Sequence, residues 1–267
     1  MVQLVTSAWL NQHLTDSEVR IVDSRPPVKY LSGHIPGAVN LPLSTFLDKN
    51  TLQLRSEREL SEVLGEAGID EATKVVLCDS YDGQNAALLA WAIEYLGQKN
   101  VEILSEYTET WASTGHELRY RPVKVPPARF EPEPNQTVRI LATSLAGNVS
   151  AKLLDLRSRE EFQGKVATET RSGHLPRAVN LPWTSLLGKE GKFLKSSEEV
   201  ERILSDAGVS RGDNIVTYCS YGPRAAVGYV ALQQAGYRNV QVYDGSFHEW
   251  SRRTDLPVEG EGLQIEL

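Results

Sequence analysis

The chain has 267 residues, 40% hydrophobic and 24% charged, a globular composition with room for one large or two ordinary domains. Its net charge of −7 sets the overall field against nucleic acid and acidic membrane surfaces, so any bound anion must be captured locally. No apolar run approaches the ~20 residues that span a bilayer, and the opening MVQLVTSAWLNQHLTD lacks a basic stretch followed by an apolar one. Neither a membrane span nor a signal peptide is expected. Two cysteines, Cys78 and Cys219, are too few for a disulfide framework or a structural zinc site. The expectation is a cytoplasmic protein with free thiols and no metal or organic cofactor.

In chain order, the first half presents an Asp23-x-Arg25 pair, then SGHIPGAVNLP (Ser32 to Pro42), LSEVLGEAGID (from Leu60), KVVLCD (ending at Asp79), WAIEYLG and Trp111. A proline-dense stretch, RPVKVPPARFEPEPNQ, follows from Arg121 to Gln136 and holds five of the thirteen prolines. Prolines fix φ and block helix or sheet continuation, so this reads as a semi-rigid linker. The series then returns. SGHLPRAVNLP, VERILSDAGVS and NIVTYC lie at a shift of 140 from their first-half counterparts, while VALQQAG and Trp250 follow after a one-residue change of offset. A period this long means two copies of a domain. The boundaries predicted are 1–120 for the first domain, 121–136 for the linker and 137–267 for the second.

Within the second copy, KLLDLR reads as a strand ending near Asp155. SSEEVERILSDAG reads as a serine-capped helix closing at Gly208, NIVTYC as a strand, PRAAVGYVALQQAG as a helix and VQVYDG as a strand. Strands alternating with helices predict an α/β fold: two domains, each a mostly parallel sheet covered by helices on both faces. Ligands of such sheets bind beyond the carboxyl ends of the strands, and Cys219 lies at one such end.

The loop CSYGPR combines a thiol with anion-binding features. Inward-turned N–H groups at a helix N-terminus form an anion cradle, Gly222 admits unusual backbone angles, and Pro223 suits the first helical turn. A thiol there should have a lowered pKa, and Arg224 adds a cation whose fork fits an oxyanion. An isolated cysteine is more often an inert core residue, but the Gly-Pro-Arg context and the strand-to-helix position favour a nucleophile.

A repeated domain with a GHIPGA-like segment, a Cys-x-x-x-x-Arg loop and a later YDGSFHEW resembles the tandem-domain rhodaneses, which are thiosulfate sulfurtransferases. The resemblance covers nearly the whole chain except the linker and the tail after Val258. It implies that Cys219 is the catalytic nucleophile and that sulfur moves by double displacement through a cysteine persulfide. It also implies a small anionic donor (thiosulfate), held by Ser220, Tyr221, Gly222, Pro223 and Arg224, with cyanide or a thiol as acceptor. Arg157, in an Asp-x-Arg pair found in both copies, and Arg171, just ahead of the second SGH, are further expected donor contacts. Mammalian-type enzymes carry a substrate arginine six residues after this aspartate, where the present chain has Glu161. A monomer without nucleic-acid or membrane partners is expected.

In the first copy Asp79 takes the place of Cys219, and its loop carries Asp82 but no arginine, so this domain is expected to be noncatalytic, with Cys78 in a core. His34 and His174 recur in both copies and are read as structural. Three alternatives stand beside this reading: a 3-mercaptopyruvate sulfurtransferase, whose relatives have smaller, uncharged loops; a non-enzymatic persulfide carrier or docking protein; and a cysteine phosphatase. Phosphatases place five residues rather than four between cysteine and arginine, which favours sulfur over phosphate.

Overall fold

Short runs rich in β-branched and aliphatic residues form the strands, and each sheet is parallel throughout. In the first sheet, β1 (Gln3–Val5), β2 (Val19–Asp23), β3 (Val39–Asn40), β4 (Lys74–Cys78) and β5 (Val101–Leu104) stand in the order β1-β5-β4-β2-β3. In the second, β6 (Lys152–Asp155), β7 (Val179–Asn180), β8 (Ile215–Tyr218) and β9 (Val240–Val242) stand in the order β7-β6-β8-β9. Arg139 adds an isolated parallel bridge to Val242 on the outer side of β9. The central strands β4 and β8 are apolar along most of their length and buried, as a strand covered on both faces must be. The doubled α/β architecture expected from the sequence is present.

These features come from a computed structural model, which describes residues 1–147 and 150–260. The end of the predicted second domain, from residue 261, lies outside the described residues. The chain separates into two compact units: Met1–Asp48 with Leu54–Asn135 and Leu187–Lys195, and Lys49–Gln53 with Gln136–Leu186 and the residues from Ser196 on. The proline-dense segment is extended and lies along the first unit. Ala128, Glu133 and Asn135 donate their N–H groups to the carbonyls of Gly65, Leu96 and Tyr95, and Phe130 is buried. Its prolines stop it forming regular structure without preventing these bonds from the residues between them.

Corresponding helices share one design. Glu57–Glu66 and Ser197–Asp206 each begin with a reciprocal capping box, Ser56 with Glu59 and Ser196 with Glu199. Each buries two aliphatic residues four apart, Leu60 and Leu64 or Val200 and Leu204, and is followed by a glycine at positive φ, Gly68 or Gly208. The helix Pro223–Gln234 is nearly all buried, and its Gly228 lets it lie close to Leu156.

The strand registers locate the change of offset between the copies. Asp23 pairs with Cys78 and Asp155 with Tyr218, which places Cys78 and Tyr218 at equivalent positions. The next helices begin at Gln84 and at Pro223, so the loop of the first domain is one residue longer. No helix among the described residues is long and apolar enough to cross a membrane.

Candidate active site

At the end of β8 the chain passes through Cys219, Ser220, Tyr221 and Gly222 into the helix Pro223–Gln234. Gly222 has φ 115°, a conformation that a β-carbon opposes, and Pro223 occupies the first turn, where its missing N–H is not needed. The Gly222 N–H points back at the thiol and donates to Cys219 Sγ at 3.2 Å. Cys219 is 1% exposed, whereas Tyr221 stands 39% exposed on the outer part of the loop.

A second element fixes the loop from the side. Cys219 N–H donates to Ser246 Oγ at 3.1 Å, and the Ser246 hydroxyl donates to the Tyr243 carbonyl at 2.8 Å. Phe247 N–H donates to the Cys219 carbonyl, and His248 N–H to the Ser220 carbonyl. The start of the helix Ser246–Arg252 therefore holds both residues at the head of the loop. Ser246 itself lies at φ 51°, unusual for a residue with a β-carbon. Sequence reasoning missed its role, and only the Gly-Ser of YDGSFHEW hinted at it.

Arg224 is close to the loop but is not an unopposed cation. Its Nη1 donates to Glu161 Oε2 at 2.7 Å and its Nη2 to Glu161 Oε1 at 2.9 Å, while Nη2 also donates to Ser220 Oγ at 2.6 Å. Glu161 is anchored in turn as the third residue of the helix Arg159–Phe162, where its carboxylate accepts the Ser158 N–H at 2.9 Å in a capping box. Burial pushes the Glu161 carboxyl up, but the bonds from Arg224 and Ser158 outweigh it and hold the group below the usual carboxylate range. The Ser-Arg-Glu-Glu spelling of a capping box was visible in the sequence; the partner 63 positions away was not.

The other two arginines are engaged elsewhere. Arg157 is buried; its Nε and Nη2 donate to the Asp155 carboxylate, Nη2 also reaches the Gly173 carbonyl, and the guanidinium stacks 4.0 Å from the Phe247 ring. Arg25, Asp23 and Gly33 repeat this arrangement in the first domain, which makes the pair part of the framework. Arg171, expected to reach the donor, instead directs Nε, Nη1 and Nη2 to the carbonyls of Ser251, Leu256, Trp250 and Arg253. Those carbonyls end the helix Ser246–Arg252 and the turn after it, where a cation satisfies acceptors the helix cannot. Nearby, Glu169 accepts from Arg252 Nη1 at 2.8 Å and lies 3.0 Å from His248 Nδ1.

His34 stacks on Tyr30 and His174 on Phe162, each with Nδ1 at a carbonyl of that aromatic residue.

In the first domain, Asp79 fills its own cradle. Its carboxylate accepts the N–H groups of Ser80, Asn85 and Ala86, the last two from the first turn of the helix Gln84–Tyr95. Burial is the largest influence on this carboxyl and raises it to about 6. Cys78 is wholly buried, its thiol is 3.5 Å from the Val22 carbonyl, and burial pushes its pKa well up.

Comparison with known proteins agrees with this architecture. The Rhodanese-like domain matches residues 6–114 and 139–253. The chain is 29% identical to the sulfur carrier protein TtuD of Thermus thermophilus, over 96% of this chain and 95% of that one. It is 28% identical to a Haloferax volcanii protein named "Putative thiosulfate sulfurtransferase", over 96% of both. Among solved structures, SseA from Escherichia coli, described with the 3-mercaptopyruvate sulfotransferases, superposes with a TM-score of 0.83 at 28% identity, covering 92% of this chain and 99% of that one.

Proposed function

The chain belongs to the rhodanese family through both of its domains, and we propose that it transfers sulfane sulfur from thiosulfate to a thiol or to cyanide through a persulfide on Cys219. One observation carries the reading: the Cys219 sulfur accepts a main-chain N–H at the head of a buried helix, on a loop whose first two residues are held by the helix Ser246–Arg252. That environment favours negative charge on sulfur, both as the attacking thiolate and as the persulfide.

In the first step the Cys219 thiolate attacks the outer sulfur of thiosulfate. The S–S bond of the donor breaks, and sulfite leaves with the electron pair. In the second step the acceptor attacks the outer sulfur of the persulfide and the thiolate is restored; cyanide becomes thiocyanate, or a thiolate becomes a new persulfide. Splitting the transfer in two is covalent catalysis, and it needs no general base once the thiolate exists. The second domain, around residues 137–267, performs the chemistry. The first, 1–120, does not, because a carboxylate occupies its cradle. Intact mass after exposure to thiosulfate tests the proposal. A gain of about 32 Da that is lost on adding cyanide supports it, and no gain, or a gain that survives Cys219→Ser, refutes it.

A further inference from the structure

Three arginines near the loop are accompanied by carboxylates. Arg224 meets Glu161, Arg157 meets Asp155, and Arg252 meets Glu169. Of these, the Arg224 pair bears on the loop itself, because the same Nη2 reaches Ser220 next to the nucleophile. The Glu161 carboxylate takes both terminal nitrogens of the fork that would otherwise face an incoming oxyanion.

Resting on the persulfide reading, we propose that Glu161 is a specificity-determining residue. By holding Arg224 in a neutral pair, it weakens the attraction of the loop for the dianion thiosulfate and narrows its advantage over donors of lower charge. Thiosulfate must approach a thiolate beside a cation whose charge is already cancelled. A singly charged donor meets less repulsion from the same thiolate. The geometry supports a fixed device rather than a chance contact, since the capping box orients Glu161 independently of Arg224.

Glu161→Gln tests this, because a glutamine oxygen still caps the helix while the charge is gone. Titration calorimetry with inorganic sulfate, a dianion close to thiosulfate in shape, should show binding about tenfold tighter than in the wild type, the effect of one partly screened charge. Equal affinity overturns the proposal. Glu161→Asp keeps the charge and should stay within about twofold of the wild type; tight binding by this variant would trace the gain to packing and also overturn it. Adding Arg224→Ala to Glu161→Gln should remove the gain, whereas a gain that persists puts the anion elsewhere and sinks the idea. Sulfate binding does not depend on turnover. A protein that forms the persulfide without a sulfate difference loses only the role of Glu161. A sulfate difference without any persulfide keeps that role and removes the sulfur chemistry.

Discussion

Asp79 accepts the Ala86 amide hydrogen at 3.0 Å, so the loop of the first domain holds an anion supplied by its own chain. Cys219 stands at the equivalent strand end in the second domain, with one N–H on its sulfur. The same strand-to-helix turn thus appears once filled by a carboxylate and once by a thiol.

The buried Asp79 carboxyl should make stability depend on pH. Its folded value, about 6, lies above its ordinary 3.8, chiefly through burial. The native state therefore holds the extra proton between roughly pH 4 and 6, and stability declines as pH rises through that window. Asp79→Asn should be more stable than the wild type at pH 8, by up to about 3 kcal/mol, with the gap closing by about pH 4. Denaturant midpoints across this range decide it, and a gap that ignores pH would place the effect elsewhere.

Cys219→Ser should abolish sulfur transfer and the persulfide mass while changing stability by no more than about 1 kcal/mol. Turnover that survives the substitution would move the chemistry to another group.

Arg224→Ala leaves the Glu161 carboxylate in a mostly buried position without its partner. A loss of about 2 kcal/mol is expected, with much of it regained in Arg224→Ala/Glu161→Gln. Thiosulfate kcat/KM should fall in Arg224→Ala, where the Glu161 charge stands alone beside the loop, and return toward the wild type in the double variant, which carries no net charge there. A double variant as unstable as the single one would contradict the pairing.

Arg171→Ala removes four bonds to main-chain carbonyls and should cost roughly 2–4 kcal/mol, read from denaturant unfolding. Its KM for thiosulfate should stay near that of the wild type at a temperature where both are folded. A large rise in KM without lost stability would return this arginine to donor binding.

What could be read from the sequence was local or repeated. The strand β8, the glycine that admits the turn, the proline that opens the helix and the twofold repeat all leave marks in neighbouring residues or in the second copy. The side-chain partners leave none. Glu161 and Arg224 are 63 positions apart, and the carbonyls that receive Arg171 lie 79 to 85 positions away. Composition shows that charges are present but not which of them cancel. Arg171 also occurs where the second domain has a longer connection between its Asp-x-Arg and SGH segments, so the first copy offered no counterpart to reveal its role. The repeat did disclose a slipped offset, yet only the strand registers assign it to the loop after β4.

The burial of Cys78 has a redox consequence. Resting persulfides are vulnerable to capture by a neighbouring thiol, which would discharge the sulfur and leave an internal disulfide. This chain has two cysteines, and the sulfur of Cys78 is enclosed in the core beneath its own sheet. On the persulfide proposed above, a sulfur atom loaded on Cys219 would have no resolving thiol in the same folded molecule. It would wait for a visitor, and the lifetime of that loaded state would be set by the supply of acceptor in the surroundings.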